Sequence, residues 1–130
     1  MLGLITGSGF YDLPGIQEAQ PLEVDTAYGL VHLTRGNWNG CPVAFLPRHG
    51  IGHRVPPHRI NYRANLQALH DVGTQAILAT AVSGGINRQY KVGELVLIDQ
   101  FIEFTHGREH TFFDEEVRHT DMSDPYDSDL

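Results

Sequence analysis

Cysteine occurs once in this sequence of 130 residues, as Cys41, so neither an internal disulfide nor a cysteine metal site can form within it. That usage suits a reducing compartment, and we expect the cytoplasm. Lysine also occurs once, as Lys91, and 9 basic residues stand against 16 acidic ones for a net charge of −7. Nucleic acid ordinarily calls for a basic face, so no nucleic-acid partner is expected. Long hydrophobic runs are missing too: none approaches the roughly 18 residues of a membrane span, and no membrane partner is expected. Met1 to Phe10 is apolar but lacks a basic start and is interrupted by Gly7-Ser8-Gly9, which argues against a secretory signal.

The remaining absence is local. From Thr26 to His70 there is no Asp or Glu, while Arg35, Arg48, Arg54, Arg59 and Arg63 fall there with five of the eight histidines. Guanidinium forks with no carboxylate nearby in sequence can hold an anion, unless acids from elsewhere in the fold pair with them. The acidic excess collects at the other end, where residues 111–130 hold seven acids and one base.

What is present reads as a mixed α/β chain. Leu2–Thr6 is a short apolar run opening into the glycines at 7 and 9, a buried strand followed by a loop. Val31–Arg35 and Val43–Leu46, separated by the turn residues Asn37 to Gly40, predict a hairpin. After Pro56-Pro57, the spacing of Tyr62, Leu66 and Leu69, with Ala64 and Ala68 between, predicts a helix that Gly73 stops. Gln75–Thr80 and Glu94–Phe104 predict two more strands. Asp124-Pro125, with Asp127 and Asp129 behind it, reads as a helix start, the alternative being an acidic tail without fixed structure. Helix between apolar strands, together with a hairpin, predicts a mixed rather than purely parallel sheet.

Three glycine loops follow apolar strands: Gly7-Ser8-Gly9, Arg48-His49-Gly50 and Ser83-Gly84-Gly85. Ligands of α/β sheets bind at the carboxyl ends of strands, where such loops offer backbone N–H groups, although any one of them can be an ordinary turn. The first is not a dinucleotide fingerprint, since position 12 is Asp12, and no Gly-Lys-Ser/Thr follows it. Arg48 and His49 add a permanent cation and a titratable donor, which suits a phosphate oxyanion, and Ser8 can add a hydroxyl. His49 and His53, like His106 and His110, are four apart, but neither pair has the H-E-x-x-H arrangement and glycines interrupt both. No metal site is expected. Trp38, Phe112 and Phe113 read as core or interface residues and His58 and His70 as surface residues flanking the helix.

The blocks Ile5-Thr-Gly-Ser-Gly9, Arg48-His-Gly50 with His53, Asn61-Tyr-Arg-Ala-Asn65, Ala81-Val-Ser-Gly-Gly-Ile86 and Asp99-Gln-Phe-Ile102, in that order, resemble the trimeric purine nucleoside phosphorylase family. The branch resembled is that of the methylthioadenosine and methylthioinosine phosphorylases, and Gly107 to Phe112 with His119 is most like the methylthioinosine enzymes. The resemblance implies a phosphorylase-like mixed β-sheet flanked by helices. It implies that residues 1–130 are the N-terminal portion of a single domain, incomplete at its C-terminal end. It implies phosphorolysis of a purine nucleoside, inorganic phosphate as co-substrate, no other cofactor, and a homotrimer. Ser8, Arg48 and His49 would hold the phosphate with the backbone around Ala81 and Val82, although Ala81 stands where this branch usually has threonine. His119 would reach the 5′-methylthio pocket of a neighbouring subunit. No general acid or covalent nucleophile is assigned within these residues. A phosphate- or nucleoside-binding fragment without turnover is the alternative, and a metal hydrolase built on the histidine pairs a more distant one.

Overall fold

The computed structural model describes residues 1–130 as two compact units, Met1–Val82 and Ser83–Leu130. The first carries all the regular structure. Strand β1 (Leu2–Thr6) lies next to one edge of a five-stranded sheet of order β2-β3-β4-β1-β5, with β2 at Gln17–Thr26, β3 at Gly29–Trp38, β4 at Cys41–Pro47 and β5 at Ala76–Ala79. β1 runs parallel to both β4 and β5, whereas β2, β3 and β4 form an antiparallel meander. The sheet is therefore mixed, as the pattern predicted.

Local chemistry sets the connections. Asn39 and Gly40 join β3 to β4 with φ of 50° and 82°, the paired positive angles of a type I′ hairpin, for which Asn-Gly is the preferred sequence. At the turn before β3, the Thr26 hydroxyl donates to the Gly29 carbonyl at 2.7 Å and accepts from the Tyr28 amide at 3.1 Å. Helix α1 (Tyr62–Asp71) begins at Asn61, whose side-chain oxygen caps the Ala64 amide at 3.0 Å while its amide donates to the Tyr28 carbonyl at 2.7 Å. It ends in a tight reversal in which Gly73, at φ 85°, lets Thr74 return both its amide and its hydroxyl to the Leu69 carbonyl.

Side chains of β4 alternate between two apolar clusters, as the pleat requires. Ala44 and Leu46 pack with Val31, Leu33 and the Ala64, Ala68 and Leu69 face of α1, while Val43 and Phe45 pack with Leu4 and Leu13. The helical stripe differs from the predicted one. Tyr62 and Leu66 lie at the exposed edge, and the two alanines bring the helix close to the sheet. β2 was not predicted; it is an edge strand with Pro21 in it and a bulge between Gln17 and Gln20, where Glu18 takes φ 52°.

The second unit contains no helix or strand. Short side-chain turns organise it, with Asn87, Glu103, Asp121 and Asp127 each accepting from an amide two residues on. The predicted strand over Glu94–Phe104 is not formed. Its apolar residues suit a strand, but a strand also needs a neighbour for its backbone groups, and none of the five strands pairs with it. Leu95, Leu97, Ile102 and Phe104 are exposed in consequence. The predicted helix start at Asp124-Pro125 does not continue as helix either; Asp127 instead folds back on the Asp129 amide at 2.8 Å. Trp38 is half-buried against the Leu13 cluster, with its indole N–H on the Pro14 carbonyl, while Phe112 and Phe113 lie at the exposed edge. No helix is long and apolar enough to cross a membrane.

Candidate functional site

Because β4, β1 and β5 are adjacent and parallel, their carboxyl ends lie side by side. Thr6 pairs with Pro47 and Ile5 with Ala79, so the residues that leave the sheet next are Gly7 in the middle, Arg48 on one side and Thr80 on the other. The backbone continues the register by one bond on each side: the Arg48 amide donates to the Thr6 carbonyl at 3.0 Å, and the Thr80 amide to the Ile5 carbonyl at 2.8 Å. This is the strand-end position at which open α/β sheets bind ligands.

Arg48 spans that position. From the end of β4 its guanidinium crosses β1 and donates to the Thr80 carbonyl beyond β5. Gly7 is the seat over which it passes. A β-carbon built on Gly7 would come within 3.0 Å of the guanidinium carbon and both terminal nitrogens, so any side chain there would have to push the guanidinium aside, and glycine lets it lie in this place. Ser8 and Gly9 form the exposed turn that follows, with Gly9 at φ 84° and the Phe10 amide returning to the Gly7 carbonyl at 3.3 Å. Phe10 anchors the turn by meeting the Phe45 ring edge-on, 6.1 Å between centroids.

His49 is buried, at 5% exposure. Its Nδ1 lies 2.9 Å from the Val55 carbonyl oxygen, which can only accept, so Nδ1 carries the proton and Nε2 is the atom left for a ligand. The loop that supplies this carbonyl is tightly wound: Gly50, Gly52 and His53 all have positive φ, and the Val55 amide bonds back to the His49 carbonyl at 2.8 Å. His53 holds its ring against that of His49, 4.5 Å between centroids, with Tyr11 edge-on to its other side. No group of three or more His, Cys, Asp or Glu is arranged to hold a metal ion; His106 instead turns Nδ1 toward the Phe104 carbonyl at 3.3 Å.

The structure thus gathers the loops of Ser8, Arg48 and His49 at one sheet end, and Ala81 and Val82 follow Thr80 there as exposed backbone. Ser83-Gly84-Gly85 and His119 belong to the second unit, where His119 is exposed. Two features escaped the sequence. One is the Thr80 carbonyl as the anchor of Arg48, which depends on strand order. The other is Thr6, whose hydroxyl is buried at 2% residue exposure with no hydrogen-bond partner; a threonine ending an otherwise apolar strand run was its only signal.

A family model described as "Phosphorylase superfamily" matches residues 1–130. S-methyl-5′-thioadenosine phosphorylase of Saccharolobus solfataricus is 46% identical over 133 residues, covering 99% of this chain and 49% of that protein. 6-oxopurine nucleoside phosphorylase of Pyrococcus furiosus is 43% identical over 133 residues, covering 96% and 50%. Among solved structures, methylthioadenosine phosphorylase of Schistosoma mansoni in its apo form superposes with a TM-score of 0.90 at 37% identity, covering 96% of this chain and 47% of that one. The chain spans about half the length of the curated relatives it matches.

Proposed function

The chain belongs to the phosphorylase superfamily, and from that premise we propose that it supplies the phosphate-binding half of an enzyme that cleaves the N-glycosidic bond of a purine nucleoside with inorganic phosphate. The substrate proposed is 5′-methylthioinosine or 5′-methylthioadenosine, and the products are the free base and methylthioribose 1-phosphate. The observation that carries this reading is the Arg48 guanidinium laid over Gly7 at three converging strand ends.

In this reading phosphate sits on Arg48 and the Ser8 hydroxyl, with backbone N–H groups at Ala81 and Val82. His49, with Nδ1 committed to Val55, turns Nε2 to the phosphate oxygens. As the C1′–N bond breaks, its electron pair leaves with the purine, which takes up a proton from water, and the sugar becomes oxocarbenium-like. A phosphate fixed beside C1′ stabilises that charge and then forms the new C1′–O bond, so no covalent enzyme intermediate is needed. Residues 1–130 are the N-terminal portion of one domain in this proposal. The enzyme is a cytoplasmic homotrimer in which His119 reaches a neighbour's methylthio pocket.

The test is base release from methylthioinosine, methylthioadenosine, inosine and adenosine, with and without phosphate, by this chain and by a chain extended to the length of its relatives. Phosphate-dependent release by the extended chain is expected. Its absence for all four nucleosides refutes the assignment, while phosphate-dependent thermal stabilisation of this chain without turnover favours a binding fragment.

A further inference from the structure

A second group of arginines lies on the α1 side of the first unit. An open pocket of about 380 Å³ is bounded by β3, the end of β4, the loop after His49 and the start of α1. Arg54 and Arg59 line it together with Arg48, and no Asp or Glu does. Neither the Arg54 nor the Arg59 side chain forms a hydrogen bond or salt bridge, and both residues are exposed. Glu23 touches the lining residue His32 at 3.4 Å but does not itself line the pocket. The side-chain amide of Asn65 is also without a partner in the protein, its backbone amide being spent on the Asn61 carbonyl. Leu30, Ile51 and Val55 supply apolar wall between these groups, and the volume falls at the lower end of the range for small-molecule sites.

Unpaired guanidinium groups repel one another, and a concavity that collects them without a carboxylate favours an anion. The loop that carries Arg54 is held by its own hydrogen bonds, Gly50 to Pro47 at 2.8 Å and His53 to Gly50 at 3.1 Å, so the backbone from which the cation extends is fixed at the pocket's rim. We infer that this pocket is a second anion site, centred on Arg54 and Arg59 and adjoining the one at Gly7 through Arg48, and that its ligand is a small molecule bearing a dianionic phosphate. Two forks with several N–H groups each match a tetrahedral oxyanion better than a carboxylate, which a single arginine satisfies. The apolar wall fits the organic part of a phosphate monoester.

Titration of the 130-residue chain with orthophosphate and with ribose 5-phosphate, followed by amide chemical shifts and calorimetry, tests this. Shifts at His32, Ile51 and Asn65 report the pocket, and those at Gly7, Ser8 and Ala81 report the strand ends. R54Q/R59Q, a change at two exposed residues, is expected to weaken the pocket response at least tenfold and leave the strand-end response unchanged. A stronger pocket response to ribose 5-phosphate identifies the ester as the ligand type; a stronger one to orthophosphate identifies the bare oxyanion. Both support the site. Strand-end shifts alone, indifferent to R54Q/R59Q, overturn it while leaving the proposed phosphorolysis intact. A loss of self-association in R54Q/R59Q with no anion response also overturns it, and assigns the arginines to an acidic surface of a second copy.

Discussion

Thr6 ends β1 with a hydroxyl that is fully buried and has no hydrogen-bond partner. Taking a hydroxyl out of water without replacing its hydrogen bond costs about 1–3 kcal/mol, and a methyl group in its place removes that cost and adds apolar burial. Thr6→Val keeps the β-branched shape that strands favour. It is therefore expected to stabilise the first unit by about 1–2 kcal/mol, an increase in Tm of roughly 3–8 °C for a chain of this size. Thr6→Ser makes the opposite exchange, keeping the hydroxyl and deleting the buried methyl, and is expected to cost about 1 kcal/mol. Urea unfolding followed by far-UV circular dichroism measures both, with the midpoints compared at constant slope. A Thr6→Val protein less stable than the parent by 1 kcal/mol or more refutes the reasoning, since the hydroxyl must then have a hydrogen-bond partner in solution.

Other consequences of the fold are equally direct. Gly7→Ala is expected to displace the Arg48 guanidinium rather than the backbone, so phosphate binding should weaken roughly 10- to 100-fold, the equivalent of one charge-assisted contact. Calorimetry that finds affinity unchanged removes Arg48 from the site. Leu69→Ala, at a fully buried position between α1 and the sheet, is expected to cost about 2–5 kcal/mol in urea unfolding. The Asp71 carboxyl is held below its ordinary pKa by the hydrogen bond from Gln67 and, less strongly, by His70. Its stabilising contribution is present above the usual carboxylate range and disappears as pH falls through the lowered value. An NMR titration should find that Gln67→Ala raises the Asp71 pKa, and an unchanged value would show that the contact is not made in solution.

Much of this fold is legible in the residues, for identifiable reasons. β1, β4 and β5 are short apolar runs with a turn or glycine after them, and the antiparallel hairpin announces itself through Asn39-Gly40. β2 was missed although Leu22, Val24 and Thr26 alternate with Glu23 and Asp25, because Pro21 and the acids look like a loop until an edge position makes both acceptable. Glu94–Phe104 was over-read for the converse reason: an apolar run such as Leu95 to Ile98 suits a strand, but pairing is decided by other parts of a chain. At the site, a glycine after a buried strand and an Arg-His pair after another were enough to nominate Ser8, Arg48 and His49. What could not be read was the path of Arg48 over Gly7 to Thr80, since it depends on β4 and β5 flanking β1, a fact of strand order alone.

That path gives Arg48 a mechanical meaning as well as an electrostatic one. β5 is four residues long and is bonded to the sheet only through β1, and the guanidinium ties its far end to β4, two strands away. The side chain thus works as a clasp on the weakest edge of the sheet. Replacing Arg48 by a residue that cannot reach Thr80 is expected to speed amide exchange along that free edge, at residues the guanidinium never touches.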